Sequence, residues 1–139
     1  MKHWLLMFKP DTYEIVRERG VIGVLNMHRR RFGDLADGDR FVAYLSRRQV
    51  LDGQGTIVGP PYQDVEKLFP GNELYPERCR VAFERAGAGV PAADLLWNLD
   101  VWKEREKPLT TQPWNMLFCY GGFMQVPESD YRRLVELMG

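Results

Sequence analysis

The stretch WLLMFKPDTYEIVRERGVIGVLNMHRRRFGDLADGDRFVAYL, residues 4–45, carries the pattern that decides the fold. Around its start, His3–Phe8 is short, apolar and aromatic, which predicts a buried strand. Thr12–Arg19 has the spacing and capping residues of a short helix that ends before a glycine. Two further strands are expected, a brief apolar one at Val21–Val24 and one at Arg40–Ser46, where β-branched and aromatic residues are frequent. Strands and helices therefore occur together in this stretch without a regular alternation.

The rest of the chain continues the mixed pattern. Glu77–Arg85 alternates between apolar and polar residues and predicts the clearest half-buried strand. Gly55–Val58 is expected to be the returning strand of a hairpin, ended by a Gly-Pro-Pro run. Helices are predicted over Pro91–Leu99 and Pro127–Met138, with a final strand within Phe118–Val126. Short strands with three short helices predict an α+β fold, in which helices surround a strongly curved mixed sheet or pseudobarrel.

Composition and charge limit the possible functions. The 139 residues fit one domain over residues 1–139, and 19 basic residues balance 19 acidic ones. A neutral chain lacks a general positive field, so a polyanionic partner has to be held by a local patch. Cys79 and Cys119 are expected to be free buried thiols, because two cysteines make no disulfide framework. The apolar run WLLMF is too short for a signal peptide or a membrane span, so we expect a cytoplasmic protein that binds no membrane.

Sequence signatures of catalysis and cofactor binding are missing. His3 and His28 belong to no HExxH or CxxC ligand set, and no GxSxG, P-loop or GxGxxG pattern occurs. Asp37 and Asp39 flank a glycine and are better explained as turn residues than as an acid–base pair. We therefore expect no catalytic residue, no metal and no cofactor.

A basic run is the strongest functional signal. Arg29, Arg30 and Arg31 are adjacent, and such a run is either an ordinary solvated face or a clamp for phosphates. The chain also has many aromatic residues, most of which are expected to pack in the core. A ring beside the arginines would stack on a nucleobase, which stabilises binding by roughly 1–3 kcal/mol per base.

Several motifs in a fixed order make the chain resemble a known family. They are the opening Trp4-Leu5, the Gly23-Val24-x-Asn26 step with its basic stretch, Gly38-Asp39, the strand ending at Tyr44, Gly55-x-Ile57, Tyr62-x-Asp64, Pro76-x-Arg78 and the closing VPESDYRRL helix. In this order and spacing they resemble the EVE domain, a member of the PUA-like superfamily, over nearly the whole chain. The resemblance implies a PUA-like fold, similar to the YTH reader domain, that binds a modified base in DNA or RNA and has no catalytic group.

The same resemblance implies a site. An aromatic-lined pocket would enclose the base, and a flanking basic patch would hold the strand. The residues of this site would be Trp4, Gly23, Val24, Asn26, Arg29, Arg30, Arg31, Tyr44, Tyr62 and Trp114. Within this set Asn26 would offer its carboxamide to a base edge, and the three arginines would contact phosphates. Ile22 departs from the family, in which a tryptophan usually precedes the Gly-Val step.

Two other classes of function stay open at this point. One is a small RNA-acting or nucleotide-acting enzyme of the PUA-like superfamily, which a strongly shifted pKa of a carboxylate or lysine in a pocket would favour. The other is an interaction module for a protein or ligand, which a shallow apolar groove would favour. The base-binding hypothesis expects a monomer with a cleft between the first strand and Gly23, into which Asn26 points. It also expects Trp4→Ala to weaken binding far more than folding.

Overall fold

A computed structural model describes residues 1–92, 98–103 and 122–139, and these contain one seven-stranded mixed sheet. Its strands are β1 (His3–Phe8), β2 (Val21–Val24), β3 (Arg40–Leu45), β4 (Val50–Gln63), β5 (Glu77–Arg85), β6 (Val90–Pro91) and β7 (Phe123–Val126). The order across the sheet is β2-β5-β4-β3-β1-β7, and β6 pairs with β4. β1 and β3 are parallel, and the other pairs are antiparallel. Among the described strands β2 and β7 are the two ends of this order, and the sheet curls into a half-barrel, which confirms the predicted fold class.

Short helices flank the sheet. They are α1 (Pro10–Arg19), a 3-10 turn (Asn26–His28), α2 (Arg29–Phe32), α3 (Asp100–Lys103) and α4 (Glu128–Met138). Helix α1 begins two residues earlier than expected, because Pro10 occupies its first turn, where a missing N–H costs nothing. It ends at Gly20, whose φ of 66° lies in the left-handed region that glycine adopts without strain.

The Gly-Pro-Pro run does not end the returning strand, contrary to the prediction. Strand β4 continues to Gln63, and its pairing with β5 skips from Val58 to Tyr62. The two prolines lie within this irregularity, where the sheet needs no N–H donor from them. The pairing resumes beyond them, so the strand bends at this point instead of stopping.

The helix predicted over Pro91–Leu99 is wrong where the structure describes it. Val90–Pro91 is β6, which pairs with the start of β4, and Leu99 immediately precedes α3. A proline is typical of a first helical turn, but it is also tolerated at a sheet edge, and β4 supplies that edge. Residues 93–97 lie outside the described residues, as do residues 118–121 of the predicted final strand.

Alternation along the strands divides the interior into two cores on opposite faces of the sheet. The first core includes residues of α1 and α2 and consists of Trp4, Leu6, Tyr13, Val16, Ile22, Val24, Phe32, Leu35, Phe41, Ala43, Leu45, Ile57, Phe69, Cys79, Val81 and Phe123. The second core includes residues of α4 and consists of Leu5, Val42, Tyr44, Leu51, Ala92, Leu99, Met124, Val126, Tyr131, Leu134 and Met138. Each large apolar side chain that is fully buried stabilises the fold by about 1.5–3 kcal/mol.

The thiol of Cys79 is buried in the first core, and burial raises its pKa to about 11. It is therefore protonated and unreactive at neutral pH. This confirms that Cys79 is a free buried thiol, whereas Cys119 lies outside the described residues. None of the helices that the structure describes is long and apolar enough to span a membrane.

Candidate functional site

The structure places Trp4 and Tyr44 on opposite faces of the sheet. Trp4 pairs with Phe41 of the parallel strand β3, so Tyr44, three residues further along β3, points the other way. Trp4 lies in the first core and is 3% exposed, whereas Tyr44 lies in the second core and is 0% exposed. The prediction that both rings line one pocket is therefore wrong, because the register of β1 against β3 assigns them to separate cores.

Trp4 is held by a buried carboxylate. Its Nε1 donates to Asp39 Oδ2 at 3.0 Å. The backbone N–H groups of Lys2 and Ala36 donate to the same carboxylate at 2.9 and 3.0 Å. Burial alone would raise the pKa of Asp39, but these three hydrogen bonds outweigh it and hold the pKa below its usual value. Asp39 therefore has a structural role, which joins the start of β1 to the turn before β3.

Gly23 and Val24 lie on the edge strand β2, and both are covered by other parts of the chain. A Cβ at Gly23 would lie 2.7 Å from the Phe69 ring and 3.1 Å from the carbonyl oxygen of Tyr75. Val24 is buried in the first core. The close approach that glycine permits here is thus made by the segment 64–76, and the prediction that this glycine faces a ligand is not supported.

A buried arginine fixes the backbone of the segment 64–76. Arg78, on β5, is fully buried and donates to the carbonyl oxygens of Glu66, Leu74 and Tyr75. Lys67 donates to two further carbonyl oxygens within the same segment. Charge-assisted hydrogen bonds of this kind are stronger than neutral ones, so the segment has a defined conformation beside β2.

We call Asn26–Arg31 the basic segment. It leaves β2 as the 3-10 turn and continues into the one-turn helix α2. Asn26 and Arg30 are exposed, and their side chains make no hydrogen bond with any described residue. The Arg29 side chain is 68% exposed. These three side chains project into solvent at the end of an edge strand, where a ligand can reach them.

Arg31 is directed inward, unlike Arg29 and Arg30. Its Nη2 donates to the carbonyl oxygen of Phe123 at 2.9 Å, and its guanidinium lies 4.5 Å from the centre of the Phe123 ring. It therefore joins the basic segment to β7 instead of extending toward a phosphate.

Three rings meet beneath the basic segment, and His28 of the segment itself packs against them. Phe123 lies 5.4 Å from Phe32, 6.2 Å from Trp4 and 6.3 Å from His28, measured between ring centres. We call Trp4, His28, Phe32 and Phe123 the ring cluster. The rings of Trp4, Phe32 and Phe123 are buried, whereas that of His28 is partly exposed. Burial lowers the pKa of His28, and nearby Arg31 lowers it further, so the imidazole is neutral at neutral pH and can stack on a planar ligand.

A residue that sequence reasoning missed, Glu77, is a buried acid next to the basic segment. It is 4% exposed and pairs with Val24 at the start of β5. Gln63 Nε2 donates to Glu77 Oε1 at 2.7 Å, and Arg29 Nε lies 3.9 Å from the same oxygen. The alternation of β5 contained the signal, because Glu77 has the same phase as the core residue Cys79.

A shallow depression of about 370 Å³ opens beside Glu77. It is lined by Gln63, Asp64, Val65 and Pro76. A hydrogen bond from the backbone N–H of Glu66 lowers the pKa of Asp64. The depression therefore presents polar oxygen atoms together with the exposed apolar side chain of Val65.

Of the other two residues expected in the site, the structure describes only Tyr62, and it does not place it there. Tyr62 precedes Gln63 on β4 and faces the other side of the sheet, where the Arg80 guanidinium lies 5.7 Å from its ring centre. Trp114 lies outside the described residues. Across the ranges that the structure covers, no group of three or more His, Cys, Asp or Glu side chains could hold a metal ion.

Comparison with known sequences gives distant relatives. No family model matches the chain. A UPF0310 protein of Pyrococcus horikoshii is 24% identical, and the alignment covers 99% of each chain. A UPF0310 protein of Pyrococcus abyssi is 27% identical, and the alignment covers 99% of this chain and 100% of the relative. The likeness extends over whole chains, and the names of these relatives state no activity.

Comparison with solved structures identifies the fold. The Mmi1 YTH domain in complex with RNA matches 99% of this chain and 77% of its own, with a TM-score of 0.67 at 11% identity. The Pho92 YTH domain in complex with m6A matches 99% of this chain and 85% of its own, with a TM-score of 0.67 at 9% identity. The curled half-barrel with its short helices is therefore similar to YTH and PUA-like domains, as the motifs implied.

Proposed function

We propose that this protein is a non-catalytic nucleic-acid-binding domain that recognises a modified base in RNA or DNA. The observation that carries the proposal is the basic segment: exposed Asn26, Arg29 and Arg30 lie at the end of an edge strand, above the ring cluster. The fold supports it, because similar structures include YTH domains in complex with RNA and with m6A.

Arg29 and Arg30 hold the phosphates in this proposal. Guanidinium groups bind phosphate through several N–H donors, and these two are exposed. Arg31 keeps the segment against Phe123 and so positions its two neighbours. A neutral chain binds a polyanion only through such a patch, so the affinity should depend on salt.

The base lies against His28 and beside the Asn26 carboxamide. Trp4 and Tyr44 support the sheet from within instead of forming the walls. Moving a base out of a stack costs a few kcal/mol, and less in a single strand, whereas stacking recovers roughly 1–3 kcal/mol. A buried methyl group adds about 0.8 kcal/mol, or about fourfold, so stronger selection needs a polar contact that depends on the base.

A titration of short single-stranded oligonucleotides tests the proposal. Each RNA and DNA oligomer is prepared with and without one central modified base, N6-methyladenine or 5-methylcytosine, and binding is followed by fluorescence anisotropy at two salt concentrations. We expect a preference for one modified oligomer. We also expect Arg29→Ala and Arg30→Ala each to reduce the salt slope by about 0.7, the value for one phosphate contact on a single strand.

The matched control is Arg48→Ala, which removes an exposed arginine from the turn before β4. This variant should bind like the wild type. Mass spectrometry of the oligomers after incubation distinguishes a binding domain from an enzyme, since a binding domain leaves them unchanged. Absence of binding to every oligomer, or equal losses in the Arg48 variant, would overturn the proposal.

A further inference from the structure

We infer that Glu77 and Gln63 together form an acceptor pair that selects bases carrying an amino N–H group. The inference rests on the proposed function and adds to it the chemical class of base that the site takes. It concerns two residues that no sequence motif assigned to the site.

The environment of Glu77 is incomplete for a buried carboxylate. Its Oε1 accepts one hydrogen bond, from Gln63, whereas its Oε2 accepts none from any residue in the described ranges and is not fully enclosed, so it can be reached from the surface. The Arg29 guanidinium is 3.9 Å away, beyond hydrogen-bond distance, on a side chain that is 68% exposed. The chain therefore leaves this carboxylate with an acceptor oxygen that no described residue uses, and a ligand at the surface can donate a hydrogen bond to it.

The position of Glu77 places it where a base bound by the basic segment would lie. Glu77 pairs with Val24 at the end of β2, and Asn26 follows two residues later. Pro76 precedes Glu77 in the sequence, and Gln63 is hydrogen-bonded to it. Both residues line the shallow depression. A strand held by the arginines can therefore extend a base toward the carboxylate.

The two side chains present two acceptor oxygens, Glu77 Oε2 and Gln63 Oε1, beside the second N–H of the Gln63 amide. A carboxylate cannot donate, so the Gln63 amide directs its NH₂ group to Glu77 and keeps its carbonyl Oε1 for a ligand. The amino groups of adenine and cytosine match such acceptors, as carboxylates in base recognition accept from the cytosine amino group. Uracil, thymine and hypoxanthine carry a carbonyl oxygen at the corresponding position, which the carboxylate repels.

Methylated adenines give the sharpest test of this inference. N6-methyladenine keeps one N–H on its amino nitrogen, whereas N6,N6-dimethyladenine has none. Four oligomers that differ only at the central base, with adenine, hypoxanthine, N6-methyladenine or N6,N6-dimethyladenine, are titrated against the wild type and the variants. We expect the wild type to bind each N–H-bearing base about tenfold more tightly than its partner without the amino N–H.

Glu77→Gln should reduce both preferences to about twofold while the salt slope stays unchanged, because the phosphate contacts remain. Gln63→Met, at an exposed residue, is the second variant and should reduce them in part without a risk to folding. The matched control is Glu84→Gln, which replaces an exposed glutamate on the same strand that pairs with Arg40 at 3.1 Å. Its preferences should equal those of the wild type.

The outcomes separate the two proposals. If the wild type binds the oligomers but does not discriminate between adenine and hypoxanthine, or if Glu77→Gln keeps the discrimination, the acceptor pair is refuted and nucleic-acid binding stands. If the wild type binds none of the oligomers, both proposals are refuted.

Discussion

Two of the buried carboxylates among the described residues, Asp39 and Glu77, are exposed to almost the same small degree, and their surroundings differ. Asp39 is 2% exposed and accepts three hydrogen bonds of 2.9–3.0 Å, from Lys2, Trp4 and Ala36. Glu77 is 4% exposed and accepts one, from Gln63. A carboxylate satisfied by its own chain stabilises the fold, whereas one left with a free oxygen is available to a ligand. The two carboxylates lie toward the same end of the sheet, at the starts of β3 and β5, so the difference separates a structural group from a candidate binding group within that end.

The largest effect on stability is expected on the Asp39 side of the comparison, for Trp4→Ala. The substitution removes a buried indole from the first core and one donor from Asp39. We expect a loss of about 3–5 kcal/mol in the free energy of unfolding, measured by urea denaturation. This reverses the expectation that Trp4→Ala acts mainly on binding. A variant with wild-type stability and no affinity would restore Trp4 to the binding site.

Asp39→Asn should cause the next largest loss in the free energy of unfolding. An amide keeps one oxygen acceptor but turns an NH₂ group toward N–H donors, so we expect a loss of about 2–3 kcal/mol at pH 7. Because the folded-state pKa of Asp39 lies below its usual value, the ionised form stabilises the fold above pH of about 3.9. This contribution disappears as the pH falls through the lower folded-state pKa. Urea denaturation from pH 7 to pH 2 should show the two proteins converging, and a constant difference would contradict the assigned role.

Gly23→Ala tests whether Gly23 anchors the segment 64–76, which directly precedes Glu77. The new methyl group would meet the Phe69 ring at 2.7 Å, so either the ring or the backbone has to move. Overpacking of this kind costs about 1–3 kcal/mol. Thermal unfolding measures this loss, and amide hydrogen exchange should show faster exchange within residues 64–76. Unchanged exchange there would mean that the segment is not anchored at Gly23.

The sequence predicts the local elements well and the partners of each strand poorly. The alternation of Glu77–Arg85 and the apolar spacing of Glu128–Met138 are local properties, and both elements were correctly predicted. The site depends on register instead. Trp4 and Tyr44 look equivalent as aromatic strand residues, but the pairing of β1 with β3 sends them to different cores, and a parallel register leaves no trace in local composition.

The smallest change in the free energy of unfolding is expected for Glu77→Gln. Glutamine has almost the same shape, keeps an oxygen that accepts from Gln63, and removes a buried charge that has one hydrogen bond. Loss of the long contact to the exposed Arg29 costs little, because exposed ion pairs contribute about 0–1 kcal/mol. We therefore expect a change of less than about 1 kcal/mol in urea denaturation, in either direction. A loss as large as that of Asp39→Asn would show that Glu77 is a second structural carboxylate, and the acceptor pair would then lose the physical reason for its assignment.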